Sequence, residues 1–414
     1  MKYLMIVLLA VTWQFSNAQT QWVKSPGNLV MTKSIDLYEG AAIGAPAVID
    51  EGDTMKMLYA GGGTDTKGRI CYAFSLDGIS WTKYNNDTPV LDVSSPGHWD
   101  SHFLDTPWWL KDSSGYKMYY FGDTDNYSPG GCIGLAISTD GRHWTRGDTV
   151  PVLSIGAPGD WDGLFIESPT VVFDGSSYMM WYSAADTTWQ VKIGAATSPD
   201  GIHWTKYSGN PVITGGSIYS WEGFGVTTPT VLMRNGKYEM WYCGVSYYDF
   251  IAHNQIDTIK IGYATSTDGL HWTKYAQNPI MNTYDPPYTI QDTNGPWAPS
   301  TIYRPAEGKY YMWYETGYGF GLATAIDNTL GIGEVTDNRK FTLSPNPSTG
   351  KVTIHIENNE GSKRRVQVYD VCGSLMQEVP LLQSAQIDIS SLANGLYFIQ
   401  MKDEPNYKAK LIKQ

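Results

Sequence analysis

One phrase recurs four times in this 414-residue chain: Ser-Leu-Asp-Gly-Ile-Ser-Trp-Thr-Lys-Tyr at 75–84, and close variants at 138–147, 198–207 and 266–275. Each copy follows a small-residue apolar stretch, such as Ile193-Gly194-Ala195-Ala196, and precedes a second apolar pair, such as Val212-Ile213. Strand, Asp-Gly turn and strand make a hairpin. The copies lie roughly 60 residues apart, which suits one four-stranded blade better than a helical repeat.

The rest of each unit aligns on that phrase. An aromatic strand precedes each hairpin, at 116–120, 178–182, 238–242 and 310–314, with a weaker version at 55–59. These strands hardly alternate between polar and apolar, so burial of both faces is expected. Before each lies a strand opening near a proline: Pro46, Pro107, Pro169, Pro229 and Pro299. The predicted architecture is therefore all-β, a five-bladed β-propeller followed by a small β-sandwich. The fifth unit lacks its Trp-Thr-Lys strand, while Trp22-Val23-Lys24 and Gly27-Asn28-Leu29-Val30 match that strand at the other end of the chain. The N-terminal segment is expected to complete the last blade and remove the open edges.

Residues 1–18 read as a secretory signal peptide, with Lys2, an apolar run and Ala18 before Gln19. No other stretch is apolar for long enough to cross a bilayer as a helix. Residues 19–330 carry the propeller, 331–339 a polar linker, and 340–414 a separate domain. Four cysteines that do not recur at equivalent positions read as incidental buried thiols, with one disulfide left open. The net charge of −12 sits on the propeller, since the chain from Lys340 onward has nine basic and seven acidic residues. An acidic propeller argues against nucleic acid and strongly anionic polymers as partners.

The C-terminal segment resembles the type A sorting domain of proteins exported by the type IX secretion system. Its matching residues are Leu343-Ser-Pro-Asn-Pro347, Gly350, Val368-Tyr369-Asp370, Gly373, Asp388-Ile389-Ser390-Ser391-Leu392, Asn394-Gly395-Leu396-Tyr397 and Lys410-Leu411-Ile412-Lys413. The resemblance implies an Ig-like sandwich serving as an export address, and a product released outside the cell or anchored at its outer surface.

Repetition separates scaffold from chemistry. Glu39, Asp100, Asp162 and Glu222 stand seven residues before their prolines, each after an aromatic, and read as structural. Asp77, Asp140, Asp200 and Asp268 sit in the Asp-Gly turns, where a carboxylate bonds turn backbone. Two residues before the prolines the units differ: Gly44, Asp105, Glu167, Thr227 and Trp297. One Asp and one Glu on successive inner strands, facing a central depression, are what glycosidic cleavage uses: one protonated acid and one ionised base, nucleophile or charge stabiliser.

Residues 19–330 also resemble the five-bladed propeller glycosidases, namely the arabinanases and β-xylosidases of glycoside hydrolase family 43 and their invertase and levansucrase relatives. The resemblance rests on the five units, the Ser-x-Asp-Gly-x-x-Trp turn and Glu167-Ser168-Pro169. It implies that Glu167 is the general acid and that Asp105 is a base or transition-state stabiliser. The first unit departs from the pattern, with Ala45 before Pro46 where the family carries an Asp base, so that either Asp105 serves as the base, Glu39 or Asp50 reaches in, or the chain binds glycan without cleaving it. Trp108, Phe165 and Trp297 are candidate sugar platforms, with Trp109 and Phe224 also near the strand starts, and His102 is a candidate hydroxyl or carboxylate partner. His253 is likewise unmatched by the other units. No cofactor and no catalytic metal is expected; Asp123-Thr-Asp125-Asn126 leaves structural calcium open. The loops 245–258 and 282–294 are expected to wall the cavity. Three classes of function remain: a hydrolase of neutral poly- or oligosaccharides, a non-catalytic glycan-binding propeller, and a sialidase-like enzyme, which would require converging arginines.

Overall fold

The computed structural model describes residues 22–84, 88–124, 130–246, 259–285, 295–327, 341–356, 364–370, 375–381, 384–402 and 404–413. The signal peptide, the linker, Asp125, Asn126, Cys372, His253 and the centres of both long loops lie outside the described residues. Thr20–Ile326 form one compact unit, and Asp327–Gln414 belong to a second. Every regular element among the described residues is a β-strand.

The larger unit contains five antiparallel four-stranded repeats. They begin with the inner strands Ala42–Asp50, Phe103–Asp112, Phe165–Phe173, Gly225–Arg234 and Trp297–Arg304. Each inner strand packs beside the inner strands of two neighbouring repeats, and the fifth packs beside the first. The third and fourth repeats are further joined by one parallel bridge between Val191 and Gly225. In the fifth repeat the outermost strand is Val23–Lys24, paired with Thr324 and Ala323, and Met31–Thr32 adds pairs to Phe320 and Gly319. The N-terminal segment thus closes the last repeat, as its sequence implied.

The second strands bury both faces. Trp181, Trp241, Trp313, Tyr59, Tyr120, Tyr182, Tyr242 and Tyr314 are all essentially inaccessible. Truncating one such Trp to Ala would cost about 3–5 kcal/mol. The rings also tie neighbouring repeats through the Asp-Gly turns. The indole N–H of Trp313 donates to Gly78 O at 2.9 Å, that of Trp181 to Gly269 O at 2.7 Å, and the Tyr119 hydroxyl to Gly201 O at 2.8 Å. The turn glycines adopt φ of 72°, 78°, 75° and 76°, a region that favours glycine. Among the described residues the fifth repeat has no such turn, because its outermost strand, Val23–Lys24, comes from the N-terminal segment. Accordingly the buried Trp241 indole N–H has no hydrogen-bond partner among the described residues.

The recurring acids are scaffold. In four repeats the carboxylate of Glu39, Asp100, Asp162 or Glu222 accepts from the second-strand tyrosine, over 2.7–3.4 Å, and pairs with the fourth-strand cation Lys83, Arg146, Lys206 or Lys274. Each turn aspartate accepts two backbone N–H groups, as Asp200 does from Ile202 and His203. Asn210, Asn278 and Asn28 each donate to the tyrosine of their repeat and accept a third-strand N–H. Asn28 does in the fifth repeat what its counterparts do in the third and fourth. Cys71, Cys132 and Cys243 are buried.

The C-terminal unit has two antiparallel sheets, one of three strands and one of four. They share a core that includes Val352, Ile354, Val366, Val368, Ile387, Ile399 and Leu411. No helix among the described residues is long and apolar enough to cross a membrane.

Candidate active site

Every inner strand breaks its ladder at the proline, which has no N–H to donate. The register shifts fall between Gly44 and Ala47, Asp105 and Trp108, Glu167 and Thr170, Thr227 and Thr230, and Trp297 and Ser300. In each bulge the residue before proline has positive φ: Ala45 47°, Thr106 42°, Ser168 51°, Thr228 47° and Ala298 43°. Such backbone is strained for a residue with a side chain, and a bulge re-aims the side chains on either side of it. The five pre-proline residues and five prolines line a narrow channel of about 30 Å³. One channel touched by all five repeats places it at the centre of the ring.

Beside it opens a cavity of about 300 Å³, lined by Asp105, Phe165, Glu167, Trp189, Trp297 and Glu315 together with Ala45, Thr106, Ser168 and Thr228. Asp105 accepts the Thr106 N–H at 2.6 Å. Thr106 Oγ1 in turn accepts the Ser168 N–H at 3.0 Å, linking the second and third repeats beneath the two acids. Burial pushes the Glu167 carboxyl up to about 8; the nearby charge of Asp105 adds to this, and the Thr227 hydroxyl partly offsets it. At neutral pH Glu167 therefore carries a proton it can donate.

Glu315 is a third acid, at the end of the second strand Lys309–Glu315, opposite Trp297. Its Oε2 accepts the Ala45 N–H across the seam between the fifth and first repeats, at 2.9 Å. Burial also pushes this carboxyl up to about 8; the Ala45 N–H opposes the shift and the charge of Asp105 adds to it. Three acids around one cavity titrate as a set. Ser168, beside Glu167, is almost wholly buried, and its hydroxyl has no hydrogen-bond partner among the described residues.

The aromatic expectations divide. Phe165 and Trp297 line the cavity as expected. Trp189, which the sequence did not single out, joins Phe165 at 6.0 Å between ring centroids and stays half exposed. Trp108 does not reach the cavity. Its indole N–H donates to Val171 O at 2.9 Å, its ring packs between the second and third repeats, and it borders only the narrow channel. Its assignment as a sugar platform is corrected on that ground. His102 is half-buried and is not among the residues lining the cavity. Trp109, likewise near a strand start, is core, donating to Ala47 O.

Residues 342–414 match the family model described as a secretion system C-terminal sorting domain. Two uncharacterized proteins of Mycobacterium tuberculosis, strains CDC 1551 and H37Rv, are each 30% identical over 207 residues, covering 46% of this chain and 60% of theirs. The chain thus spans 60% of the length of the curated relatives it matches. Among solved structures, one comes from work on the GH130 family, whose mannoside phosphorylases include hydrolases of β-1,2 mannosidic linkages in Candida mannan. It aligns with a TM-score of 0.58 at 17% identity, over 74% of this chain and 94% of that one. A putative glycoside hydrolase of Parabacteroides distasonis aligns at 0.59 and 14% identity, over 75% and 97%. A thermostable family-43 glycoside hydrolase aligns at 0.52 and 19%, over 71% and 91%. At such identities the likeness shows the fold alone. The chain joins a glycoside-hydrolase-like β fold to a type IX sorting domain that directs it to the cell exterior and its outer surface.

Proposed function

We propose that the chain is a secreted five-bladed β-propeller glycoside hydrolase that cleaves O-glycosidic bonds of a neutral poly- or oligosaccharide. Glu167 is its general acid, and Asp105 is its base or transition-state stabiliser. The observation that carries this reading is the pairing of Glu167, held protonated, with Asp105 in a cavity walled by aromatic rings. As the glycosidic C–O bond breaks, Glu167 passes its proton to the departing oxygen. The Asp105 carboxylate faces the positive charge that develops at the anomeric carbon, and a water adds there.

The cavity's charge supports a neutral substrate and water as acceptor. None of its described lining residues is Lys, Arg or His, so no cationic side chain there offers a phosphate or a carboxylate an ion pair. The arginines a sialidase-like enzyme would need are committed elsewhere: Arg69 to Asp65 and Asp92, Arg234 to Glu239, Arg304 to Asp50 and Glu307, and Arg146 to Asp100. The domain plan belongs to the same proposal: signal peptide 1–18, propeller 19–330, linker 331–339 and an Ig-like sorting sandwich over 340–414, read by the type IX machinery.

A second reading, a glycan-binding propeller without catalysis, is favoured by one feature, Ala45 standing where the resembled enzymes carry their base. Sugar release from arabinan, xylan, mannan, fructan and galactan by the full chain, beside Glu167→Gln, separates the two. Release from one polymer, reduced about a hundredfold or more in the variant, supports the enzyme. Equal binding by both proteins without release supports the binding module.

A further inference from the structure

We propose that Glu315 is the general base of this site, taking the proton of the attacking water from the place where the first repeat has no side chain of its own. The inference rests on the hydrolase reading above and goes beyond its pair of acids. Of the residues two before the prolines, Asp105, Glu167 and Trp297 carry side chains into the cavity, whereas the first repeat has Gly44. A Cβ built at Gly44 would lie 2.7 Å from Glu315 Oε2. The carboxylate of Glu315 therefore occupies the space that a side chain at Gly44 would enter, and the absence of a Cβ there is what admits it. Ala45 fixes this position by donating its N–H to the same oxygen.

The contact with Ala45 does not by itself call for a carboxylate. At the seam between the third and fourth repeats the equivalent position is Ser183, whose neutral hydroxyl accepts the Thr228 N–H at 2.9 Å. At the next seam the equivalent is Cys243. Only the fifth repeat places an acid there, and there it lines the cavity that holds Asp105 and Glu167.

The step balances as a hydrolysis. The water oxygen bonds to the anomeric carbon while the bond to the leaving oxygen breaks. Glu167 gives its proton to that oxygen, and the carboxylate of Glu315 receives the proton the water loses. Exchange with solvent then restores both groups, with one water consumed. The active form has Glu167 protonated and Glu315 ionised; since burial raises both carboxyls alike, this is the singly ionised state of that pair, populated as pH climbs towards about 8.

The test uses the full chain and two substrates of whichever sugar the wild type releases, an oligosaccharide and a dinitrophenyl glycoside whose leaving group needs no acid. Glu315→Gln keeps an acceptor for Ala45 N–H and should lower kcat on both substrates by about a hundredfold or more. Glu167→Gln should lower it only on the oligosaccharide. Glu315→Ala should regain turnover of the dinitrophenyl glycoside in sodium azide, with a glycosyl azide as product. A wild-type kcat in Glu315→Gln beside an inactive Glu167→Gln would overturn the inference and leave the hydrolase reading intact. Loss in Glu315→Gln with no azide product in Glu315→Ala would also overturn it, reducing Glu315 to a tie for Ala45. If the wild type cleaves neither substrate type from any of the five sugars, the hydrolase reading itself fails and the inference with it. Gly44→Asp combined with Glu315→Ala moves the acid to the first repeat, and recovered activity in that double variant would support the assignment.

Discussion

Replacing Glu167 by glutamine should make the larger unit more stable in alkali, and only there. The Glu167 carboxyl titrates at 4.5 when unfolded and is pushed up to about 8 in the folded ring, chiefly by burial and then by Asp105. A group raised in this way adds its full stability below 4.5 and loses it as pH climbs towards 8. A rise of that size corresponds to about 5 kcal/mol at the exchange rate of 1.36 kcal/mol per pKa unit; with the cavity side of this half-buried group open to solvent, ~2 kcal/mol is the expected net. Glutamine does not titrate. Glu167→Gln should therefore match the wild type at pH 4.5 and melt later at pH 9, by about 3 °C. Tryptophan fluorescence is a clean reporter, since all sixteen Trp of the chain lie at or before Trp313 and none in the C-terminal unit. A melting difference that stays flat between pH 4.5 and 9, or a variant that melts earlier at pH 9, would refute the reasoning.

Two further outcomes follow from particular contacts. Trp181→Phe removes an indole N–H that donates to Gly269 O, whereas Trp241→Phe removes one without a partner among the described residues. The first should therefore cost about 1–2 kcal/mol more than the second in urea unfolding, and equal costs would contradict the assigned turn contacts. Gly44→Ala should displace the Glu315 carboxylate while leaving the fold intact, because the close atom ends a flexible side chain. Its kcat should fall about tenfold or more with melting nearly unchanged, and an unchanged kcat would mean that the position of Glu315 is immaterial.

Much of this was legible because the repeat is its own control. The Asp-Gly phrase located the turns, and the surplus Trp22 to Val30 match located the strand that closes the fifth repeat. Comparing units two residues before each proline isolated Asp105 and Glu167, and the structure places both in one cavity. The same comparison one residue past the second-strand tyrosine gives Ala60, Phe121, Ser183, Cys243 and Glu315, in which the acid is again the odd one out. That signal was present but lay on a different strand from the one compared. Its meaning depended on geometry across the seam, from Glu315 to Gly44 and Ala45, which are about 270 residues distant in sequence. Trp108 misled for the opposite reason. It follows the proline, and the bulge turns it from the cavity towards Val171. Trp189 could not be aligned, since its segment between the second and third strands has no counterpart of similar sequence in the other repeats.

The most direct test of the central claim is the dependence of Glu167→Gln on leaving group, measured as kcat/KM for the wild type and the variant on an oligosaccharide and on the dinitrophenyl glycoside of the same sugar. A general acid is needed only where the leaving oxygen must be protonated. The variant should lose about a hundredfold or more on the oligosaccharide and less than about tenfold on the dinitrophenyl glycoside. Equal losses on the two substrates, or none on either, would contradict Glu167 as the acid.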